Sequence, residues 1–271
     1  MDVLKRIGSA AVIPVVVLDS AEDAVPTARA LLAGGIDVME ITFRTAAGRD
    51  AIAAVASECP EMLVGAGTVL NCAQGREAVG AGAKFIVSPG LSRELIDDCA
   101  AQGIPALPGC VTPSEIMDAL DAGLKIVKFF PANVYGGLDA MKALASAFVG
   151  VKFMPTGGIN AKNLAEYLSA PFIHAVGGTW LCSRADIAAH NFDKITALCR
   201  EARKITLGYE LAHVGVNSDD RTSALEISGE WEKTFGFPAA EGNSSCFAVF
   251  AFSFFGCVKQ VVGLDPFYSL I

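Results

Sequence analysis

The sequence predicts an α/β protein: a closed (β/α)8 TIM barrel over residues 1–207, followed by a small α+β extension over residues 208–271. Three observations point there. The first 206 residues repeat one unit, a short run of β-branched and aromatic residues ending in Gly, Pro, Thr or Ser, then an alanine-rich segment of helical period. Strands that alternate with helices pair in parallel, because each crossover must return over the sheet. Eight such units in about two hundred residues match a closed barrel near the small end of its size range. The other architecture for such a pattern, an open doubly wound sheet, wants a GxGxxG after a strand, and none occurs.

The strands are expected at 11–17 (AVIPVVV), 37–43 (DVMEITF), 62–69 (MLVGAGTV), 84–90 (KFIVSPG), 104–109 (IPALPG), 125–131 (KIVKFFP), 151–157 (VKFMPTG) and 173–178 (IHAVGG). Helices fill the gaps. SAEDAVPTARALLAGG has Ser20 as its cap and Gly34–Gly35 as its stop. TPSEIMDALDAG opens on Thr112 with Pro113 at the first helical position and Glu115 three residues on, a capping box. From residue 208 no strand–helix unit continues, so a separate unit or tail begins there.

Composition narrows the function classes. The net charge is −8 with 21 Lys and Arg, and no basic cluster stands out, so nucleic acid is not an expected partner. The eight cysteines form no CxxC pair and sit in apolar segments, as reduced core residues do; the three histidines have no metal-ligand spacing. No metal is expected. The N-terminal MDVLKRIGSA has no apolar h-region, so no signal peptide is expected. CFAVFAFSFFGCV falls well short of the ~20 residues of a membrane span, and a soluble protein is expected.

Strand residues in a barrel alternate between interior and helix layer. In DVMEITFRT, Met39, Ile41 and Phe43 belong against the helices, which puts Glu40, Thr42 and Arg44 on the other face, with Glu40 and Arg44 inside or at the mouth. In IVKFF, Lys128 shares the inner face with Ile126 and Phe130, while Val127 and Phe129 face the helices. Thr68 and Thr156 fall at carboxyl ends of strands, where barrels carry their catalytic groups. A lysine walled by Ile126 and Phe130 is poorly hydrated, which favours the neutral amine that attacks carbonyls. Glu40 could move protons beside it, and Arg44 suits a bidentate grip on a carboxylate. The set fits imine chemistry on a 2-oxo acid. Lys128–Glu40 and Glu40–Arg44 serve equally well as structural ion pairs.

Paired glycines stand in PTGGIN (Gly157, Gly158) and AVGGTW (Gly177, Gly178), with Thr179 beside the second. After strands seven and eight, such turns expose backbone N–H groups at the usual barrel phosphate position; tight turns alone would also use them. GAGTVLN lacks the GK[ST] of a nucleotide loop. Cys72, Cys99 and Cys110 have no paired histidine and read as packing residues, as does Trp180.

The segments GGIDVMEITFRT, VGAGTVLN, FIVSPG, PGCVTPSE, VKFFPA, FMPTGGIN and VGGTWL, in this order across about residues 5 to 206, resemble the 2-keto-3-deoxy-6-phosphogluconate (KDPG) and 4-hydroxy-2-oxoglutarate (KHG) aldolase family. The resemblance implies a cytoplasmic class I aldolase, typically a homotrimer, that needs no cofactor and takes a small 2-oxo acid, phosphorylated in the KDPG case. It implies Lys128 as the Schiff-base lysine and Glu40 as the general acid/base. Arg44 and Thr68 match the groups that hold the pyruvate carboxylate, Phe130 the aromatic beside the imine, and Thr156 the threonine of stereochemical control. Gly157, Gly158, Gly178 and Thr179 match the phosphate loops, with threonine where many members have serine. PANV stands where Pro-Ala-Glu is common.

Residues 211–247 resemble the opening of a glyoxalase-like (vicinal-oxygen-chelate) module, with His213 where such modules often keep a first metal ligand. After Phe247 that likeness stops, and a truncated module is expected. Two other functions are consistent with such a barrel: a non-catalytic phosphosugar-binding protein, or a phosphosugar isomerase or epimerase working through carboxylates alone.

Overall fold

In the computed structural model of the chain, the described residues are 2–208, residues 222 and 226, and a short antiparallel pair, Ser253–Phe254 with Cys257–Val258. His213 and the glyoxalase-like likeness at 211–247 fall almost wholly outside them.

All eight expected strands are present: β1 (Val12–Val16), β2 (Val38–Thr42), β3 (Leu63–Gly67), β4 (Ile86–Val87), β5 (Ala106–Leu107), β6 (Ile126–Phe129), β7 (Lys152–Pro155) and β8 (Val176–Gly178). The helices are α1 (Val3–Ala10), α2 (Ala24–Ala33), α3 (Gly48–Glu58), α4 (Cys72–Gly80), α5 (Arg93–Ala101), α6 (Pro113–Asp121), α7 (Gly137–Ala147), α8 (Leu164–Ser169), α9 (Arg184–Ala188) and α10 (Phe192–Leu207). Six strands form one curled sheet in the order β5-β4-β3-β2-β1-β8, and β6 pairs with β7. Every pairing within these two sheets is parallel. Single parallel bridges join Gly109 to Lys128 and Thr156 to Gly177. β4 and β5 are shorter than the sequence suggests, because Pro89, Pro105 and Pro108 lack the N–H that a longer ladder needs.

The caps follow the sequence closely. Ser20 caps a short 3-10 turn, Ala21–Asp23, that leads into α2, and Gly34 ends that helix. Thr112 and Glu115 form the complete capping box of α6, with Pro113 at its first turn. Such a cap is worth about 1 kcal/mol.

Two hydrophobic clusters sort the strand residues by parity. Val16, Met39, Ile41, Val127, Phe129 and Phe153 pack outward beneath the helices. Ile13, Val38, Leu63, Phe85, Leu107 and Met154 pack on the inner face. The helix α1, which the strand–helix pattern gives no hint of, adds Ile7 and Ala10 to the inner cluster. Asp2 caps it, and His174 Nε2 lies 2.9 Å from the Leu4 carbonyl. α1 thus floors the inner face at the amino ends of the strands, leaving the carboxyl ends for polar groups.

Candidate active site

Glu40 and Lys128 sit on the inner face of β2 and β6, as the alternation requires. The β2 register sets Glu40 between Val15 of β1 and Gly65 of β3. Lys128 pairs with Met154 on one side and bridges to Gly109 on the other. Lys128 Nζ lies 3.4 Å from Glu40 Oε1, with the side chains 4% and 1% exposed. Their seclusion decides the chemistry open to them: an ion pair this dry is sensitive to any group that enters, because no bulk water screens it. Phe130, one residue past β6, puts its ring centroid 5.3 Å from Nζ.

Arg44 does not pair with Glu40. It lies just past β2 and donates from Nε to Thr68 Oγ1 at 3.1 Å. Thr68 holds a left-handed backbone, φ 56°, as the chain leaves β3. The bond uses Nε and does not engage the two Nη groups, the part of the fork whose geometry suits a carboxylate.

A cavity of ≈ 180 Å³ lies at the carboxyl ends of the strands. Arg44, Phe130, Thr156, Gly157, Gly158, Gly178 and Thr179 line it, with Val15 and Ile159, which the sequence reading did not single out. Lys128 and Glu40 are buried and do not line it, though Lys128 reaches the ring of Phe130, which does. Gly157 and Gly158 both have positive φ, 97° and 79°, a turn that points backbone amides in directions closed to larger residues. Thr156 is 5% exposed, and its hydroxyl has no hydrogen-bond partner among the described residues. A larger cavity, ≈ 470 Å³, opens near Arg6, Gly35, Asp37 and Arg203. It sits at the amino ends of the strands, where Arg6 is already tied to Asp37 at 2.9 Å. The sequence-predicted residues Arg44, Phe130, Thr156 and Thr179 gather at the smaller cavity and not at this one.

The buried thiols make poor nucleophiles. Burial pushes Cys99 up to about 11, Cys110 up to about 12 and Cys199 up to about 12. Each stays protonated at pH 8, and only the thiolate attacks. Peptide mapping after iodoacetamide at pH 8 is expected to find these three unmodified in the folded protein and labelled in urea. Rapid labelling of Cys110 in the native state would contradict this. Trp180 packs against the outer cluster, as a packing residue should. Among the described residues, no group of three or more His, Cys, Asp or Glu is placed to hold a metal ion, and no helix is long and apolar enough to cross a membrane.

The sequence profile described as KDPG and KHG aldolase matches residues 3–198. The chain belongs to this aldolase family. Among its relatives is the 2-dehydro-3-deoxy-phosphogluconate aldolase of Treponema pallidum (strain Nichols), 48% identical over 194 residues, which are 72% of this chain and 92% of that one. A KDPG aldolase from Legionella pneumophila, solved with pyruvate captured at low pH as a covalent carbinolamine intermediate, is 42% identical with a TM-score of 0.72; the match covers 74% of this chain and 98% of that one. The 2-keto-3-deoxy-6-phosphogluconate aldolase of Zymomonas mobilis ZM4, solved with 3-phosphoglycerate, is 44% identical with a TM-score of 0.67, covering 74% and 94%. These KDPG/KHG aldolase matches span the strand–helix region that carries the Lys128–Glu40 pair.

Proposed function

We propose that this chain is a class I aldolase that cleaves KDPG to pyruvate and glyceraldehyde 3-phosphate, KHG to pyruvate and glyoxylate, or both. The observation that carries the proposal is the buried Lys128–Glu40 pair beside Phe130, 3.4 Å apart, in a family one of whose members holds pyruvate as a carbinolamine. Neither a binding protein nor a carboxylate-based isomerase calls for an amine there.

Lys128 adds to C2 of the keto acid, and the carbinolamine loses water to give a protonated imine. Glu40 takes the C4 hydroxyl proton as the C3–C4 bond breaks, and the bonding pair flows into the imine nitrogen to leave an enamine. The aldehyde departs, C3 of the enamine is protonated, and hydrolysis frees pyruvate and Lys128. Arg44 and Thr68 hold the C1 carboxylate. Thr156 stands where the C4 hydroxyl is formed or broken. Gly157, Gly158, Gly178 and Thr179 receive the phosphate, which the phosphoglycerate bound to the Zymomonas relative supports. For KHG the same loops leave room for water, so the phosphorylated substrate is favoured.

The same reading closes the curled sheet into a (β/α)8 barrel, which the single bridges at Gly109–Lys128 and Thr156–Gly177 support. It sets the barrel's end at residue 207, close to the compact unit Met1–Thr206. It also makes the aldolase a cytoplasmic homotrimer, and residues 208–271 a partial glyoxalase-like module. These rest on the family likeness.

Borohydride trapping tests the function. Incubation with pyruvate and borohydride is expected to add one reduced pyruvate unit to the peptide that carries Lys128, read by intact-mass and peptide mass spectrometry. Folded protein that forms no adduct would rule out the imine mechanism.

A further inference from the structure

The inner face of β2 presents Glu40, then Thr42, then Arg44 just beyond the strand. Glu40 pairs with Lys128, and Arg44 bonds Thr68. Thr42 is 1% exposed, and its hydroxyl has no hydrogen-bond partner among the described residues. The second carboxylate oxygen of Glu40, Oε2, is in the same condition. A buried hydroxyl without a partner is costly, and most proteins avoid it.

The strand register shows where these two oxygens stand. Thr42 is paired with Gly67 of β3. A Cβ placed on Gly67 would fall 2.0 Å from Glu40 Oε1 and 2.6 Å from its Cδ. The Glu40 carboxylate therefore rises from its own level and lies over Gly67, in the slot beside Thr42. Neighbouring strands run about 4.8 Å apart, so this slot adjoins Thr42, and neither oxygen bonds to the other. One oxygen atom shared between them would satisfy both.

We propose that Thr42 Oγ1 and Glu40 Oε2 together hold the oxygen that leaves C2 of the 2-oxo acid as the carbinolamine on Lys128 dehydrates. This rests on the imine mechanism above. In the step, the protonated Glu40 carboxyl gives its proton to the C2 hydroxyl. The C2–O bond breaks while the nitrogen lone pair forms the C=N bond, and Glu40 is left as a carboxylate. The departing water donates its other hydrogen to Thr42 Oγ1. In hydrolysis the same two groups orient the incoming water. Thr42 touches the reacting oxygen and is a catalytic residue in this sense. A threonine retained only for its β-branched fit to a strand would be replaced equally well by valine.

The experiment mixes enzyme with pyruvate, quenches with borohydride at increasing times, and reads the reduced adduct by intact mass. Thr42→Val keeps the shape and loses the oxygen. It is expected to melt at or above the wild-type temperature, yet form the adduct roughly 10- to 100-fold more slowly, part of the 10²- to 10⁴-fold that a general acid supplies. Thr42→Ser is expected to stay within about threefold of wild type. Thr42→Ala against Thr42→Ser gives a second comparison, since both lack the methyl and only one lacks the oxygen. Valine and alanine variants that form the adduct as fast as wild type and serine would overturn the role of Thr42 alone. A wild type that forms no adduct would remove the aldolase reading and this assignment with it.

Discussion

Lys128→Ala is expected to lower kcat/KM for pyruvate-forming cleavage by about 10⁴-fold or more, because the ε-amine forms the covalent bond on which every later step depends. No neighbour can substitute: Lys128 is the one buried lysine among the described residues. The substitution also leaves Glu40 in a dry site without its ionic partner. Removing one half of a buried pair typically costs about 3–5 kcal/mol, so lost activity could be mistaken for lost fold. Lys128→Met keeps most of the side-chain volume, and combining it with Glu40→Gln removes both charges at once. The double variant is expected to melt above Lys128→Ala and to be equally inactive. Steady-state release of pyruvate, measured beside thermal melts, separates the two effects. Folded Lys128→Met with activity within tenfold of wild type would show that some other group does the chemistry.

The second large effect is expected at a residue that touches no substrate. Gly67→Ala puts a methyl 2.0 Å from Glu40 Oε1 and 2.5 Å from its Cγ. Contacts this short cannot persist, and the neighbouring strand backbone gives little room to move. The carboxylate must swing away from the slot over Gly67 and so from Lys128. A fall in kcat of about 10²- to 10⁴-fold follows, the usual worth of a general acid/base. Overpacking adds a stability loss of about 1–3 kcal/mol. Because both changes act through one carboxylate, Gly67→Ala in a Glu40→Gln background is expected to lower kcat little further. Full additivity of the two losses would show that Gly67 acts by another route.

The eight strands were legible because each apolar run is closed by Gly, Pro, Thr or Ser, and two-residue alternation correctly divided Glu40 and Lys128 from Ile41 and Val127. The α6 capping box was legible down to its residues. α1 was not, because eight residues preceding the first repeat carry no strand–helix signal; the signal present is Asp2 as a cap with Val3, Leu4 and Ile7 at helical spacing. Within the site, the sequence placed Thr42 on the inner face but offered no reason to give it a role. That reason is a partnerless hydroxyl, a property of packing and not of residue type. Gly67 falls inside the expected strand at 62–69, where nothing in the residue type marks it out, for the same cause. Its importance lies in what occupies the space where its side chain would be.

The floor made by α1 has a bearing on traffic through the site. Ile7 and Ala10 fill the inner face from below, so the proposed reaction puts the keto-acid end of the substrate, attached to Lys128, at the closed end of the site. The same proposal puts the aldehyde end above it, toward the glycine turns that line the cavity. Departure then follows a queue: the aldehyde must clear the entrance before pyruvate can, and in the synthetic direction the keto acid must already be seated when the aldehyde arrives.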